Sequence, residues 1–452
     1  MFASRTNWPL EPNRFAQALE TRRRSGEHLL DLTASNPTTC GFTYPVQAIL
    51  PALADPRALV YHPESKGLRE AREPVASYYS GRAGFGSGNQ RVLDPEKIIL
   101  TSGTSEGYTH IFRLLCEPGD EVLVPVPGYP LFEFLADLAD IRLVSYPLLY
   151  DHGWQIDLEA LRGALTPRAR AILLVHPNNP TGSLVKRHEA VELARICARH
   201  DLALVVDEVF LDYPALDAPA LGAPALAAPA LDASALDGPS PGHAPIAYPS
   251  FDYRTRDYRT RDSTLGHSTP AAPATFAFHS DALTFTLSGI SKIAALPQMK
   301  LAWLIVSGPE ALARASIDRL EIIADTYLSP SVPVQLALAR FLELRNPLQA
   351  QLQQRIAANQ AYLDNLLLRA GAPLQRLARE AGWYAVLRVP SSIPDDDLAV
   401  DLLEQCSVLV HPGQFFNFSQ NGFLVLSLIA PEADFQEGAR RLCAFFARGK
   451  NP

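Results

Sequence analysis

Short apolar runs alternate with helix-like segments between residue 97 and about residue 306. Several runs are apolar at consecutive positions, which predicts strands that helices cover on both faces. The repeated order of strand and helix predicts an α/β fold whose large domain has a mostly parallel, seven-stranded sheet between helices. The seven runs are residues 97–102, 121–125, 141–146, 170–177, 202–207, 283–288 and 301–306. A helix at 189–201 is predicted to bury Val191, Ala194, Ile196 and Ala198.

After about residue 308 the pattern changes to long amphipathic helices. This change predicts a second, smaller α+β domain with helices at 310–327, 348–371 and 432–448 and a strand at 382–390. The predicted organisation is an N-terminal segment, 1–44, that joins the small domain through a helix at Arg14–Arg24, a large domain, 45–308, and the small domain, 309–452.

Residues 214–275 interrupt the large domain with low-complexity sequence. A five-residue repeat, PALDA-PALGA-PALAA-PALDA-SALDG, is followed by the tandem duplication DYRTRDYRTRD. Proline is too frequent here for a helix interior. The composition predicts a flexible surface insertion, while a proline-rich docking segment is the alternative and lacks a clean PxxP pattern.

Composition narrows the class of protein. The chain has 452 residues, 47 % of them hydrophobic, and a net charge of −8, which excludes a disordered, collagen-like or disulfide-stapled protein and argues against nucleic acid as a partner. Its five cysteines form no C-x-x-C pair, so we expect no metal site and a reducing, cytoplasmic location. No secretion signal and no run of about 18 apolar residues is found, so no membrane partner is expected.

The first candidate site is the turn after the strand in IILTSGTSEGY, where Ser102, Gly103 and Thr104 open a helix. Backbone N–H groups and hydroxyls converge there at the positive end of the helix dipole, which predicts an anion site, most plausibly for phosphate. The same turn also reads G-x-S-x-G, the nucleophile elbow of α/β-hydrolases, with Ser105 as nucleophile. A capped helix without a ligand is the third interpretation.

Two further motifs end strands of the same predicted sheet. The turn in HPNNPTG places the amides of Asn178 and Asn179 at the C-terminal edge, where open α/β sheets bind ligands. The strand in LALVVDEVF ends in carboxylates, and a carboxylate at a buried strand end needs a positive or N–H partner. We therefore expect Asp207 to face a cationic group.

A lysine completes the set. The chain has six lysines, and Lys292 alone stands among small residues at a strand end, in LSGISKIAALPQMKLAW. An amine in a poorly solvated site has a lowered pKa and can form a Schiff base with a carbonyl. A phosphate holder, an amide, a carboxylate and an amine are the groups that pyridoxal phosphate requires.

The order of these motifs, SGTS, NNPTG, DEVF and SK, resembles the class I/II aminotransferases of the aspartate aminotransferase fold, fold type I, over nearly the whole chain apart from the insertion. The resemblance implies that Lys292 carries the cofactor and moves the proton, that Asp207 faces the pyridine nitrogen and that Asn179 contacts O3′. It further implies a homodimer, and cofactor-binding roles for Ser102, Gly103 and Thr104 (phosphate), Tyr129 (ring stacking), Lys300 (phosphate, in place of an arginine) and Tyr61 (phosphate of the neighbouring subunit).

Besides Lys300, three positions depart from the family's pattern. Phe210 replaces a tyrosine that donates to O3′, and Gly289 replaces a frequent serine. Val425 stands where the family has the arginine that pairs with the substrate carboxylate. A different group must then hold that carboxylate.

Two places could supply it. Arg14 in the N-terminal helix is one, and the backbone near Asn36 and Pro37 is the other. Trp383 and Tyr384 could wall the substrate pocket or serve only in packing.

The leading hypothesis is amino-group transfer between an amino acid and a 2-oxo acid. A β-lyase or decarboxylase with the same cofactor is the first alternative, since the carboxylate-binding arginine is missing. A serine hydrolase, with Ser105 and either His279 or His411, is less favoured because it leaves Lys292 and Asp207 unexplained. A non-catalytic relic that still binds the cofactor is the remaining alternative.

Overall fold

The computed structural model describes residues 1–85, 92–215, 273–370, 373–390 and 393–448. Most of the predicted insertion, 214–275, lies outside these residues. The strands are β1 (Leu30–Asp31), β2 (Ile98–Thr101), β3 (Glu121–Val126), β4 (Arg142–Tyr150), β5 (Trp154–Ile156), β6 (Ala169–Val175), β7 (Ala203–Asp207), β8 (Thr284–Gly289), β9 (Ala302–Ser307), β10 (Gln375–Arg376), β11 (Tyr384–Arg388), β12 (Val408–Leu409), β13 (His411–Pro412) and β14 (Phe423–Ser427). The helices are α1 (Arg14–Arg24), α2 (Val46–Ile49), α3 (Arg69–Tyr79), α4 (Thr104–Leu115), α5 (Leu131–Leu138), α6 (Leu158–Gly163), α7 (Arg187–His200), α8 (Ile290–Ile293), α9 (Glu310–Tyr327), α10 (Val332–Glu343), α11 (Arg345–Ala370), α12 (Asp395–Cys406) and α13 (Glu432–Arg448).

The large sheet has the strand order β2-β9-β8-β7-β6-β3-β4-β5. Neighbours from β8 to β4 are parallel, whereas β9 is antiparallel to both β8 and β2. All seven predicted runs form strands of this sheet, which confirms the α/β class. The predicted number of strands was wrong, because β5 folds back on β4 as an eighth, antiparallel strand.

Side chains of the central strands pack alternately against the two helical layers, as the pleat of a strand requires. In β6, Ala171 and Leu173 belong to one apolar cluster and Ile172 and Leu174 to the other. Helix α7 packs against the second of these clusters. The stripe of residues that it buries lies next to the stripe that the sequence predicts and overlaps it in part. Its buried apolar residues are Ala190, Leu193, Ala194, Ile196 and Cys197, whereas the predicted Val191 and Ala198 are exposed.

A smaller antiparallel sheet has the order β10-β11-β14-β13. One face of it, including Leu387, Leu424 and Leu426, packs in a cluster with residues of α11, α12 and α13. The N-terminal segment reaches this region, because β1 pairs in parallel with β12. Residues 1–216 and 272–452 form one compact unit, so the predicted division at residue 308 stays a prediction. None of the helices in the described ranges is long and apolar enough to cross a membrane.

The turn that follows β6 is hydrogen-bonded directly to the segment that precedes β11. The carbonyl of Gly182 accepts hydrogen bonds from the N–H groups of Glu380 (3.0 Å) and Ala381 (2.9 Å). Gly182 has a φ of +68°, and a Cβ there would lie 2.3 Å from the Ala381 carbonyl oxygen. Only glycine therefore fits this contact.

Candidate active site

Chemistry-bearing residues converge at one edge of the large sheet. Strands β2, β3, β6, β7 and β8 run in the same direction, so the segments that follow them meet at their carboxyl ends. Register places Asp207 beside Val175 of β6 and Leu287 of β8. The turn that carries Asn179 and the helix that carries Lys292 therefore follow the strands on either side of Asp207.

These residues line a cleft of about 500 Å³. Eight of the nine predicted site residues are in its lining, namely Ser102, Gly103, Thr104, Tyr129, Asn179, Asp207, Lys292 and Lys300. The ninth, Tyr61, does not line it and is 80 % exposed. That exposure fits a side chain with its target on another molecule, and the role of Tyr61 stays a prediction.

Lys292 lies in α8 with its amine close to aromatic rings. Its Nζ is 5.2 Å from the ring centre of Trp383 and 5.9 Å from that of Phe210. Burial lowers the pKa of Lys292 to about 8, against an opposing effect of the Asp207 carboxylate. The Tyr213 hydroxyl donates to the backbone carbonyl of Lys292 at 2.6 Å and fixes this part of the helix. With this pKa about a tenth of the amine is unprotonated at pH 7, far more than for an ordinary lysine.

Asp207 is 7 % exposed at the end of β7. Its Oδ1 accepts from the Val209 N–H at 3.0 Å, and its Oδ2 accepts from the Tyr108 hydroxyl at 3.0 Å. Burial raises the pKa of Asp207 to about 6, while these two donors and Lys292 oppose the rise. The carboxylate is therefore ionised at neutral pH, and it faces a cation as expected.

The two amides of the NNPTG turn differ in their partners. Asn178 Oδ1 accepts from the N–H and the hydroxyl of Thr181, so this side chain holds the turn together. Asn179 lines the cleft, and its Oδ1 is buried without a hydrogen-bond partner. An orphaned buried acceptor is costly, and a donor on a bound molecule removes that cost.

The predicted phosphate turn is partly occupied by the protein itself. Glu106 Oε2 accepts from the Ser102 N–H at 2.6 Å and from its hydroxyl at 2.9 Å. Gly103 and Thr104 stand at the start of α4, where N–H groups have no partner within the helix. These two residues, with Ser291 and Lys300 in the same lining, are the better-placed anion ligands.

Packing explains the glycine at position 289. A Cβ on Gly289 would lie 2.8 Å from the Cβ of Ala302, its partner in β9. Serine therefore cannot occupy this position without a shift of the two strands. Of the flanking hydroxyls, Ser291 lines the cleft and Ser288 is fully buried, 3.4 Å from the Glu208 carbonyl.

Phe210 turns its ring into an aromatic cluster. It packs edge-on against Trp383 at 4.8 Å and against Tyr384 at 6.1 Å. Trp383 is fully buried and serves in packing, whereas Tyr384 lines the cleft. Phenylalanine has no hydroxyl, so residue 210 cannot donate the hydrogen bond that the family's tyrosine gives to O3′.

The hydrolase arrangement is not formed in the described part of the chain. Ser105 lines the cleft, but its hydroxyl has no hydrogen bond to a histidine there. His279 instead contacts the Thr284 hydroxyl at 2.9 Å and is absent from the cleft lining. A serine nucleophile needs a base within hydrogen-bond reach.

Four residues of the cleft lining form what we call the aromatic wall: Tyr384, His411, Phe415 and Phe416. Sequence reasoning named Tyr384 as a possible pocket wall and His411 only as a hydrolase base, and it missed Phe415 and Phe416. His411 stacks on Phe415 at 5.0 Å and meets Phe416 edge-on at 5.6 Å. Val425, paired with His411 across β13 and β14, is fully buried in an apolar cluster that includes Phe416. Arg14 does not line this cleft and forms an ion pair with Asp397, whereas Ser35, next to Asn36, does line it.

A family model described as aminotransferase class I and II matches residues 27–231 and 262–442. The chain belongs to this family. The unmatched interval, 232–261, falls within the predicted insertion. Pyridoxal phosphate is the cofactor of class I and II aminotransferases, which confirms the predicted cofactor.

Relatives and solved structures agree with the family. Glutamate-pyruvate aminotransferase AlaA of Escherichia coli strain K12 is 27 % identical over 314 residues, which cover 69 % of this chain and only 63 % of that protein. Alanine aminotransferase of Mycobacterium tuberculosis strain H37Rv is 25 % identical over 445 residues, 93 % of this chain and 86 % of that protein. The structure of an alanine aminotransferase from Pyrococcus furiosus has a TM-score of 0.75 at 18 % identity and covers 99 % of this chain and 100 % of that chain. This last likeness confirms the fold.

The cleft fits the cofactor on its own chemistry. It holds an amine with a lowered pKa, an ionised carboxylate and the amide of Asn179, whose NH2 group can donate to a ring oxygen. It also contains the start of a helix with two small residues, where a phosphate is favoured. Among the residues that the structure covers, no group of three or more His, Cys, Asp or Glu side chains could hold a metal ion.

Proposed function

We propose that this protein is a pyridoxal-phosphate-dependent aminotransferase that moves an amino group between an amino acid and a 2-oxo acid. The observation that carries the proposal is the placement of Lys292 beside Asp207 at adjacent strand ends in one cleft. When bound, pyridoxal phosphate supplies an aldehyde that takes up the amino group and a ring that accepts the electron pair left by loss of a proton.

Lys292 supplies the amine and moves the proton. Its neighbours Phe210 and Trp383 exclude water and keep the amine partly neutral, so it can accept a proton from the substrate carbon. Because Tyr213 holds the backbone of Lys292, the side chain pivots from a fixed point. The same amine then returns the proton at the neighbouring position.

Asp207 keeps the ring nitrogen protonated. Tyr108 and the Val209 N–H hold both of its oxygens, which fixes the carboxylate and keeps it ionised at neutral pH. Asn179 supplies an amide for the ring oxygen, and Gly103 and Thr104 supply N–H groups for the phosphate. Tyr129, which is 41 % exposed in the cleft, is placed to cover the ring.

The proposed active unit is a homodimer in the cytoplasm. An exposed apolar strip, Val46, Leu50, Leu59, Val60 and Tyr61, supports the dimer, since such a surface is typical of an interface. Tyr61 then reaches the phosphate of the partner subunit. All five cysteines are free thiols, which supports a reducing compartment.

The absorbance spectrum tests this function. Purified protein with pyridoxal phosphate should show a visible band that fades with an amino acid and returns with a 2-oxo acid. A band that fades with release of carbon dioxide or ammonia, and without return, indicates the decarboxylase or lyase instead. Lys292→Ala should abolish the band, whereas Lys97→Ala, which removes an exposed ion pair with Glu310, should keep it.

A further inference from the structure

The aromatic wall carries no charge. Tyr384, His411, Phe415 and Phe416 form a continuous set of ring contacts, with centres 5.0 to 6.3 Å apart. Such rings favour contact with another aromatic or apolar group. Behind the wall, Val425 packs with Phe416, Phe418 and the indole of Trp154. The Arg388 guanidinium lies at the edge of this cluster, 5.8 Å from the Phe423 ring centre, and does not line the cleft.

His411 does not supply a positive charge at neutral pH. Burial lowers the pKa of its imidazole to about 4, and the charged group that acts on it is the Asp31 carboxylate. The Asp31 carboxylate accepts from the N–H and hydroxyl of Thr33. A substrate carboxylate at the wall therefore lies beside the neutral imidazole of His411 and near the negative charge of Asp31.

The cations of the lining come from the segment between β8 and β9 and not from the wall residues. Within the described lining they are Lys292 and Lys300, and no arginine is present. Lys292 is the reacting amine, and Lys300 is an exposed residue eight positions further along the same connection from β8 to β9. Ser35 and the Tyr384 hydroxyl, which lie next to each other, give the wall neutral polar groups only.

These observations bear on the substrate, because a carboxylate that leaves water without a cationic partner costs several kcal/mol. An uncharged aromatic group does not have this cost of leaving water, and it is stabilised by apolar contact with the wall. Resting on the cofactor and the 2-oxo acid acceptor of the proposed function, we propose that the preferred amino donor is a primary amine with an aromatic group and no carboxylate on the amino carbon, so that the amino acid of that reaction is the product.

The product of such a donor is an aldehyde. The amine carbon gives up its amino group and one hydrogen and receives an oxygen from water, while the acceptor carbon gains the amino group and a hydrogen and releases its carbonyl oxygen as water. One amine and one 2-oxo acid thus give one aldehyde and one amino acid, with no outside oxidant. The 2-oxo acid binds without an ion pair at the wall, so its KM should exceed that of the amine.

A matched pair of donors tests the inference, since 2-phenylethylamine and phenylalanine differ only by the carboxylate. With the protein loaded with pyridoxal phosphate, the rate of band loss should give a kcat/KM at least about tenfold higher for the amine, in line with the worth of one charged interaction. Phenylacetaldehyde should be detected as product. A higher kcat/KM for phenylalanine overturns the inference and leaves the proposed function standing.

Binding gives a readout that needs no turnover. In calorimetric titrations of the protein with and without cofactor, 3-phenylpropan-1-ol should bind more tightly than 3-phenylpropanoate. Tighter binding of the carboxylate, or no binding of either, overturns the inference. If no amine and no amino acid changes the visible band, the proposed function fails, and the titrations still decide whether the wall selects an uncharged group.

An added arginine should reverse the preference. Phe415 is 49 % exposed and lines the cleft, so Phe415→Arg places a guanidinium on the wall without burying it. The ratio of amine to amino acid kcat/KM should fall at least about tenfold. Gln414→Arg adds the same charge on an exposed neighbour outside the cleft lining and should leave the ratio unchanged. An unchanged ratio in Phe415→Arg contradicts the inference.

Discussion

The hydroxyl of Tyr108 donates a 3.0 Å hydrogen bond to Oδ2 of Asp207. The bond stabilises the ionised carboxylate and so works against burial, which raises the pKa of Asp207 to about 6. In Tyr108→Phe the pKa of Asp207 should rise further, by about one to two units if the bond is worth 1.5–3 kcal/mol. Cofactor-free protein needs ionised Asp207 to bind pyridoxal phosphate, and this form is lost as pH falls through the pKa of Asp207, so the acid limb of the pH profile for cofactor binding should move upward. Tyr146→Phe is the control, because that buried hydroxyl donates to the Leu173 carbonyl and does not line the cleft. An acid limb that stays in place contradicts this role for Tyr108.

The lowered pKa of Lys292 predicts how the protein takes up its cofactor. Only the neutral amine attacks an aldehyde, so the capture rate of cofactor-free protein should rise about tenfold per pH unit below pH 8 and level off above it. Stopped-flow absorbance between pH 6 and 10 measures this rate. Asp207→Asn removes the attraction that raises the pKa of Lys292, and the midpoint should move down. A midpoint near the ordinary lysine value of 10.5 contradicts burial as the dominant cause.

Removal of the side-chain amides of Asn178 and Asn179 should change the free energy of unfolding in opposite directions. Asn179→Leu eliminates a buried oxygen that has no partner, so the free energy of unfolding of the cofactor-free protein should increase by about 1 kcal/mol while the affinity for pyridoxal phosphate falls. Asn178→Leu removes two hydrogen bonds from Thr181 and should lower the free energy of unfolding by about 1–3 kcal/mol. Denaturant unfolding and cofactor titration measure both. Equal destabilisation by the two variants rules out a ligand-facing role for Asn179.

The close contact between Gly289 and Ala302 predicts a compensating pair. Gly289→Ala forces a Cβ to within 2.8 Å of another and should destabilise the protein by about 1–3 kcal/mol. Ala302→Gly frees that space, so the double variant should recover part of the loss. Thermal unfolding of the two single variants and the double variant gives the coupling between them. Strict additivity of the two changes contradicts the contact as the cause.

Apolar runs predicted the large sheet because a strand that helices cover on both faces is apolar at consecutive positions. Such a run can be recognised in the sequence alone. The strand ends then carried the chemistry, and eight of nine predicted site residues share one cleft. The three-residue strand β5 is too short to leave a pattern, so it was missed. In α7, a stripe through Val191 has the same helical period as the buried one through Leu193, and only packing decides between them.

The other three residues of the aromatic wall, unlike Tyr384, could not be placed there from the sequence, for a different reason. His411, Phe415 and Phe416 come from the small sheet and its following turn, more than a hundred residues after Lys292. Aromatic residues there look like ordinary core, and only the pairing of β13 with β14 brings His411 beside Val425. The sequence shows a valine instead of an arginine at position 425, but it does not show which groups surround that position in the fold.

The double hydrogen bond to the Gly182 carbonyl gives the cleft a mechanical property. This carbonyl follows Asn179 by three residues, and its donors, Glu380 and Ala381, lie just ahead of Tyr384 in the chain. A displacement of Tyr384 must therefore drag the asparagine turn with it or break both bonds. The wall residue Tyr384 and the amide that we place at the cofactor ring are thus tied together by two hydrogen bonds and a few residues of chain.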